Sequence, residues 1–410
     1  MRTSAYAAIA GMILAAAANA GELKPVDGEA PLRAGWRVCT VGPNSVETLE
    51  REPVYKSANP LYMTMRIGSG EDDVVTVALD ESKGTGKGYD ILHVDANNNG
   101  DLTDGTPLKP NISKRAGSHS FGVDPLDITV KYADGSSIVL GVQLEIRGYE
   151  SGRERRIKWT AAYHVAQHLE GRVDFGEKKN VLIGIYDSSD AWMDANGCFT
   201  DYGVDRIVID VNGDGKLDEK KEDMPMSRVV VVDGRLWALS LERGTSASVS
   251  PFMGPTGRVR FVGNFEMGKT TAATVDSYAE VVSTNGYALK LRLGGDGGVV
   301  PEGGYRVSHA HIKMKDEDER LWESFFFTTN DVAVTSAKGA ALRIGAPLRL
   351  EPEVQGTLAL GRHVCVMPHV IGRGGEVYEN LSPVSTRMQP TASFTDSEGI
   401  VATSGQMEYG

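Results

Sequence analysis

The feature that most restricts this chain is an internal repeat. Gly88-Tyr89-Asp90-Ile91-Leu92-His93-Val94-Asp95-Ala96-Asn97-Asn98-Asn99-Gly100-Asp101-Leu102 recurs 115 positions later, without a gap, as Gly203-Val204-Asp205-Arg206-Ile207-Val208-Ile209-Asp210-Val211-Asn212-Gly213-Asp214-Gly215-Lys216-Leu217. The glycine, the first aspartate, the loop aspartate, the asparagine, the loop glycine and the leucine of one copy fall on those of the other. A short apolar run, Ile91–Val94 or Ile207–Ile209, leads into each Asp/Asn-rich loop. Duplication of one supersecondary unit accounts for this spacing. Strands, not helices, are expected to enter both loops.

Alternation of period two dominates the rest of the chain. Ile128, Val130 and Tyr132 alternate with polar residues, Asp134-Gly135 follows, and Ile138, Leu140, Val142, Leu144 and Ile146 alternate again. The same device recurs around Asp233-Gly234 and around Asn285-Gly286. Such dipeptides suit the positive φ angles of a two-residue hairpin turn. Glycine is abundant, with 48 residues, which fits many short strands and turns. Trp159–Leu169 is open between a short helix and a strand. The reading is therefore a mainly β, multi-domain chain. Residues 21–250 form a β domain with sub-repeats 21–147 and 148–250, and calcium loops lie between its strands. A Ser/Pro/Gly-rich stretch, Thr245–Gly257, marks the boundary. Residues 251–410 are expected to form a β-sandwich of immunoglobulin-like or similar type.

The loops carry the chemistry. Calcium is a hard cation that takes six to eight oxygen ligands. The pattern D-x-[DN]-x-[DN]-G places side-chain oxygens at positions 1, 3 and 5, a glycine for the sharp turn at 6, and a backbone carbonyl at 7. An apolar residue at position 8 anchors the loop. The first loop supplies Asp95, Asn97, Asn99, Gly100, Asp101 (by its carbonyl) and Leu102. The second supplies Asp210, Asn212, Asp214, Gly215, Lys216 (by its carbonyl) and Leu217. Asp, Asn and Gly favour turns without any metal. Two copies at identical spacing turn a common turn motif into an expectation of calcium.

These loops resemble the EF-hand-like calcium loops of dockerin-type and related extracellular bacterial proteins, over about a dozen residues each. The resemblance implies that Asp95, Asn97, Asn99, Asp210, Asn212 and Asp214 are side-chain ligands. The departure is at position 12, where a bidentate acid would close the loop and where this chain has Thr106 and Lys221. The nearest acids are Asp104 and Glu219 at position 10, Asp218 at position 9 and Glu222 at position 13. Closure at position 10 is also similar to shorter Asp-rich calcium repeats. Upstream of the second loop, Asp187, Asp190, Asp194, Asn196, Gly197 and Asp201 crowd one segment, and 194–201 resembles a contracted loop of the same kind.

The N-terminus reads as a secretory signal over residues 1–20, with Arg2, an Ala-rich apolar run and Ala18-Asn19-Ala20 before Gly21. Export implies a secreted or periplasmic protein with no membrane span once the signal is cleaved. The chain has 43 Lys plus Arg against 55 Asp plus Glu, a balance that argues against nucleic-acid partners and suits cations. The expected partners are calcium ions and an extracellular glycan or envelope component. Cys39, Cys198 and Cys365 are far apart, and a buried free thiol is expected for each.

No nucleophile elbow, phosphate loop or dinucleotide fingerprint is present in the sequence. His164 and His168 would share one helix face, and His309 and His311 one side of a strand, but neither pair has a third ligand beside it. Trp159, Trp192, Trp237 and Trp322 would stack on sugars if exposed, with core packing the default. The reading is a non-catalytic exported protein stapled by calcium. Its alternative is a carbohydrate-binding module or glycan-active hydrolase with structural calcium.

Overall fold

Alternating apolar side chains drive most of this chain into strands. The computed structural model describes residues 20–27, 36–45, 49–70, 73–85, 88–115, 118–151, 156–187, 196–242, 245–263, 266–267, 270–271, 277–293, 296–315, 321–345, 347–355, 365–383, 391–395 and 401–406. The expected signal therefore lies outside the described residues, except for Ala20. Two compact units divide at Phe252 and Met253.

The first unit contains β1 (Gly21–Asp27), β2 (Arg37–Gly42), β3 (Leu61–Arg66), β4 (Val74–Asp80), β5 (Ile91–Val94), β6 (Asn111–Arg115), β7 (Ser118–Gly122), β8 (Leu126–Lys131), β9 (Ser137–Ser151) and β10 (Arg156–Val165). It continues with β11 (Gln167–Phe175), β12 (Lys178–Tyr186), β13 (Arg206–Ile209) and the one-turn helix α1 (Glu219–Glu222). Strands β14 (Asp223–Pro225), β15 (Val229–Val232), β16 (Arg235–Glu242) and β17 (Ser246–Pro251) complete it.

Two sheets result, and their strand orders correspond. One runs β5-β4-β3-β2-β10-β9, with β8 and β7 pairing different stretches of the long β9 and β6 pairing β7. The other runs β14-β13-β12-β11-β1-β17-β16-β15. Setting β6, β7 and β14 aside, β5-β4-β3-β2-β10-β9-β8 matches β13-β12-β11-β1-β17-β16-β15 place for place. Even β14 has a counterpart, because the Leu92–Leu108 bridge stands where Ile207 pairs with Met224. The repeat is thus a repeat of sheets, with a crossover. The chain changes sheet at Ala166, between β10 and β11, rather than at 147, and β1 fills the fourth place of the second sheet.

The two sheets share one core. Met63, Val77 and Tyr163 from the first pack in the same buried cluster as Leu169, Ile183 and Val249 from the second. Residues 159–169 are strand on both sides of Ala166, since Ala161, Tyr163 and Val165 point alternately into that core. Only one of the three predicted hairpins uses a two-residue turn with both central residues at positive φ, Asp233 at 50° and Gly234 at 72°. At Asp134-Gly135 and Asn285-Gly286 the glycine alone is left-handed, and the loop is longer, with Gly135 N–H bonded to the Tyr132 carbonyl and Gly286 N–H to that of Ser283.

The second unit is also built of sheets. Its eight-stranded sheet includes Tyr278–Ser283, Gly303–Lys315, Leu321–Phe327 and Val377–Pro383 as central strands. A three-stranded sheet places Thr256–Val262 between Gly298–Pro301 and Ala340–Arg343, the last pairing in parallel. Val259, Val281, Tyr305, Val307, Ile312 and Phe326 are buried within the unit. Cys39 and Cys198 are buried free thiols.

Candidate metal centre

Each Asp/Asn loop is entered by a strand. β5 delivers Asp95, whose N–H still bonds the Thr76 carbonyl of β4 at 3.0 Å. β13 delivers Asp210, whose N–H bonds the Leu182 carbonyl of β12, also at 3.0 Å. This last ladder bond turns each aspartate side chain into its loop, and both residues are buried.

Inside, the loops share one hydrogen-bonded frame. The Asp95 carboxylate accepts the N–H groups of Asn99 at 2.9 Å and Gly100 at 2.8 Å. The Asp210 carboxylate accepts those of Asp214 at 3.1 Å and Gly215 at 2.9 Å. Asn99 Oδ1 accepts the Asp101 N–H at 2.8 Å, and Asp214 Oδ1 accepts the Lys216 N–H at 2.9 Å. Gly100 and Gly215 sit at φ 78° and 79°, a region where a Cβ is strained. Position 1 thus takes the N–H groups of 5 and 6, and position 5 takes that of 7, in both copies.

The apolar anchor at position 8 also recurs. Leu102 is buried against Tyr62 and Ala78 on the outer side of β4. Leu217 lies against Gly184 of β12, where a Cβ would come within 2.5 Å of its Cδ1. A small residue in the equivalent strand makes room for each leucine.

The closures differ. In the first loop the Asp104 Oδ2 accepts the side-chain amides of Asn97 at 2.8 Å and Asn99 at 2.9 Å. In the second, Glu222 reaches back from the end of α1 and is buried. Its Oε1 accepts the Asn212 N–H and its Oε2 the Asp218 N–H, both at 3.2 Å. Asp218 faces the helix instead, capping α1 through the Lys220 N–H at 3.1 Å and pairing with Lys221 at 3.2 Å. Lys221 holds its carboxyl below the usual carboxylate range. The Glu219 side chain lies outside the described residues. Asp101 turns its carboxylate outward to the Thr103 hydroxyl and N–H, which hold it below the usual range, and to Arg51.

Part of this frame occurs a third time. Gly197, at φ 71°, donates its N–H to Asp187 Oδ2 at 2.5 Å. Asn196 Oδ1 accepts the Cys198 N–H at 2.7 Å, and Asn196 Nδ2 donates to Asp201 Oδ2 at 2.7 Å. Asn196, Gly197, Cys198 and Asp201 stand as Asn99, Gly100, Asp101 and Asp104 do, with buried Phe199 in the place of Leu102. The position-1 carboxylate comes from Asp187, further back than the first loop's spacing. Asp190 and Asp194 lie outside the described residues. Among the described residues, no three His, Cys, Asp or Glu side chains converge as a metal cluster. The oxygens of these loops are two carboxylates in the first and third and three in the second (Asp210, Asp214 and Glu222), with asparagine amides and backbone carbonyls beside them.

A polar cluster unforeseen in the sequence backs the first loop. The Gly100 carbonyl accepts the N–H groups of Glu50 and Arg51 at 2.9 and 3.2 Å. The next residue, Glu52, accepts the hydroxyls of Tyr55 at 2.9 Å and Tyr62 at 2.6 Å. Tyr55 meets His93 edge-on, and His93 lies 3.8 Å from Asp80. Burial holds His93 below its ordinary value of 6.5, against the pull of Asp80.

The histidine pairs are accounted for separately. His164 in β10 packs on Trp36, while His168 in β11 bonds Glu170 at 2.7 Å and stacks on Tyr186. His309 and His311 both lie against Phe325, and His311 pairs with Glu323. Trp159 stacks on Phe121, and Trp237 is buried against Phe175. Trp192 and the Trp322 side chain lie outside the described residues. No described helix is long and apolar enough to cross a membrane. Compared with protein-family models, with characterised proteins and with solved structures, the chain finds no match.

Proposed function

We propose that this chain is an exported, non-catalytic calcium-binding protein whose EF-hand-like loops staple the N-terminal unit. The observation that carries this reading is the hydrogen-bonded frame shared by the two loops, with part of it found again at Asp187, Asn196 and Gly197. The frame occupies one side of each oxygen with backbone N–H groups and leaves further lone pairs for a cation. In the first loop the ligands are Asp95, Asn97, Asn99, the Asp101 carbonyl and Asp104. In the second they are Asp210, Asn212, Asp214, the Lys216 carbonyl and Glu222, with Asp218 beside them.

The first loop fits the ion in a further way. Two amide N–H groups aim at the Asp104 carboxylate. A cation would take the place of these donors at Asp104, with the Asn97 amide turned over to present its oxygen while Asn99 Oδ1 keeps its bond to the Asp101 N–H. The compartment is the cell exterior or periplasm, where an envelope component or glycan is the expected partner. The C-terminal unit is read as a sandwich of immunoglobulin-like type that presents this partner surface.

Calorimetric titration tests the reading. Calcium should bind with a dissociation constant on the order of 10⁻⁴–10⁻³ M, as in extracellular modules. Asp95→Ala and Asp210→Ala should each remove one site. A folded protein that takes up no calcium at millimolar concentration would refute it.

A further inference from the structure

The second sheet of the N-terminal unit contains one strand that does not belong to its run of chain. β11 to β17 follow one another from residue 167 to 251, whereas β1 comes from residues 21–27 and leads on to β2 in the other sheet. β1 lies between β11 and β17. It pairs with β11 from Leu23–Gly171 to Asp27–Gln167. On the other side, among the described residues, it meets β17 at Gly21–Ala247 and Glu22–Ser246, with the Leu23 N–H on the Thr245 carbonyl at 2.7 Å.

Few side chains hold β1. Leu23 is its single buried residue, and Glu22, Lys24, Pro25 and Asp27 are exposed. Pro25 has no N–H and so donates no backbone hydrogen bond. The slot nevertheless has a defined shape. At Gly21 a Cβ would lie 1.9 Å from the Arg172 carbonyl oxygen, so only glycine fits that end. At Gly171 a Cβ would lie 2.7 Å from Leu23 Cδ2, so the slot's own glycine opens the seat for the leucine. The slot reads a Gly-x-Leu strand mainly through backbone hydrogen bonds, the logic of strand addition.

We propose that the slot between β11 and β17 is a strand-docking site that takes the Gly21–Asp27 strand of a second copy of this chain, so that two copies complete each other's sheets. Every bond the slot makes to β1 is available to the same strand of another copy. The two arrangements differ in the chain connection and in concentration, not in contacts. The inference does not depend on calcium.

Crosslinking across the Glu22–Ser246 pair tests it. One copy carries Glu22→Cys, a second Ser246→Cys, and both carry Cys365→Ser. They are unfolded, refolded together at high concentration and oxidised. A single chain with both substitutions, which links within itself, checks the register. The expected result is a covalent dimer containing one copy of each. An excess of a synthetic 20–27 peptide should suppress that dimer, and the same peptide with Gly21→Val should not. Monomers alone from the mixture, with the single-chain link formed, would overturn the proposal. Failure of the single-chain link would overturn it too, since β1 would not then lie beside β17.

Discussion

The two calcium-type loops share an entry and a frame but not a closure. Asp95 and Asp210 hold equivalent N–H groups, and Leu102 and Leu217 sit on equivalent strands. The first loop is closed by side chains, Asp104 on two asparagine amides. The second is closed by the buried Glu222, which grips backbone N–H groups from the end of a one-turn helix. What the duplication has kept is the part that shapes the loop. What differs is the closing group, Asp104 in one loop and Glu222 in the other. A closure made of side-chain amides can rearrange around an ion, whereas one made of backbone bonds is already set.

Six substitutions test this contrast. The largest effect is expected from Leu102→Ala, which empties a buried seat and should cost about 3 kcal/mol in urea unfolding. Leu217→Ala, at a less enclosed position, should cost about half as much. Next, Asp95→Ala and Asp210→Ala should each destabilise the calcium-free protein by about 1 kcal/mol, because each leaves part-buried loop N–H groups without their carboxylate acceptor. Equal losses support a shared frame, and a loss confined to one loop breaks it. Glu222→Gln should cost about 1 kcal/mol without calcium. Asp104→Asn should leave the calcium-free melting temperature nearly unchanged and act on calcium affinity instead.

The smallest effect is on pH. Burial depresses the folded His93 value below 6.5, so the unfolded chain binds more protons just below that pH. Stability should therefore decline as pH falls from about 6.5 through the folded value, and His93→Gln should flatten that part of the curve.

Local features were legible in the sequence because their causes are local. The Asp-Gly and Asn-Gly hairpins and the strand entries to both loops follow from alternation and turn residues. The placement of β1 in the second sheet was not legible, because strand neighbours distant in sequence leave no local mark. Glu222 was one of three candidate closers of the second loop, and the single turn of α1 brings it across the loop. The Asp187 carboxylate was hidden by the longer segment before Asn196. The repeated Asn-Gly-x-x-x-Asp of residues 196–201 and 99–104 was the signal that could have aligned it. Residues 159–169 were ambiguous since histidines four apart fit a helix face as well as two strands.

The central claim is that calcium stabilises the N-terminal unit through these loops. Its most direct test is the melting temperature in EDTA and in ~1 mM calcium. With a dissociation constant of ~0.1 mM, each site contributes about 1.4 kcal/mol. Two sites in a unit of this size should raise the melting temperature by roughly 5–10 °C. The rise should halve in Asp95→Ala and in Asp210→Ala and vanish in the double variant. Identical melting curves in EDTA and calcium would contradict the account.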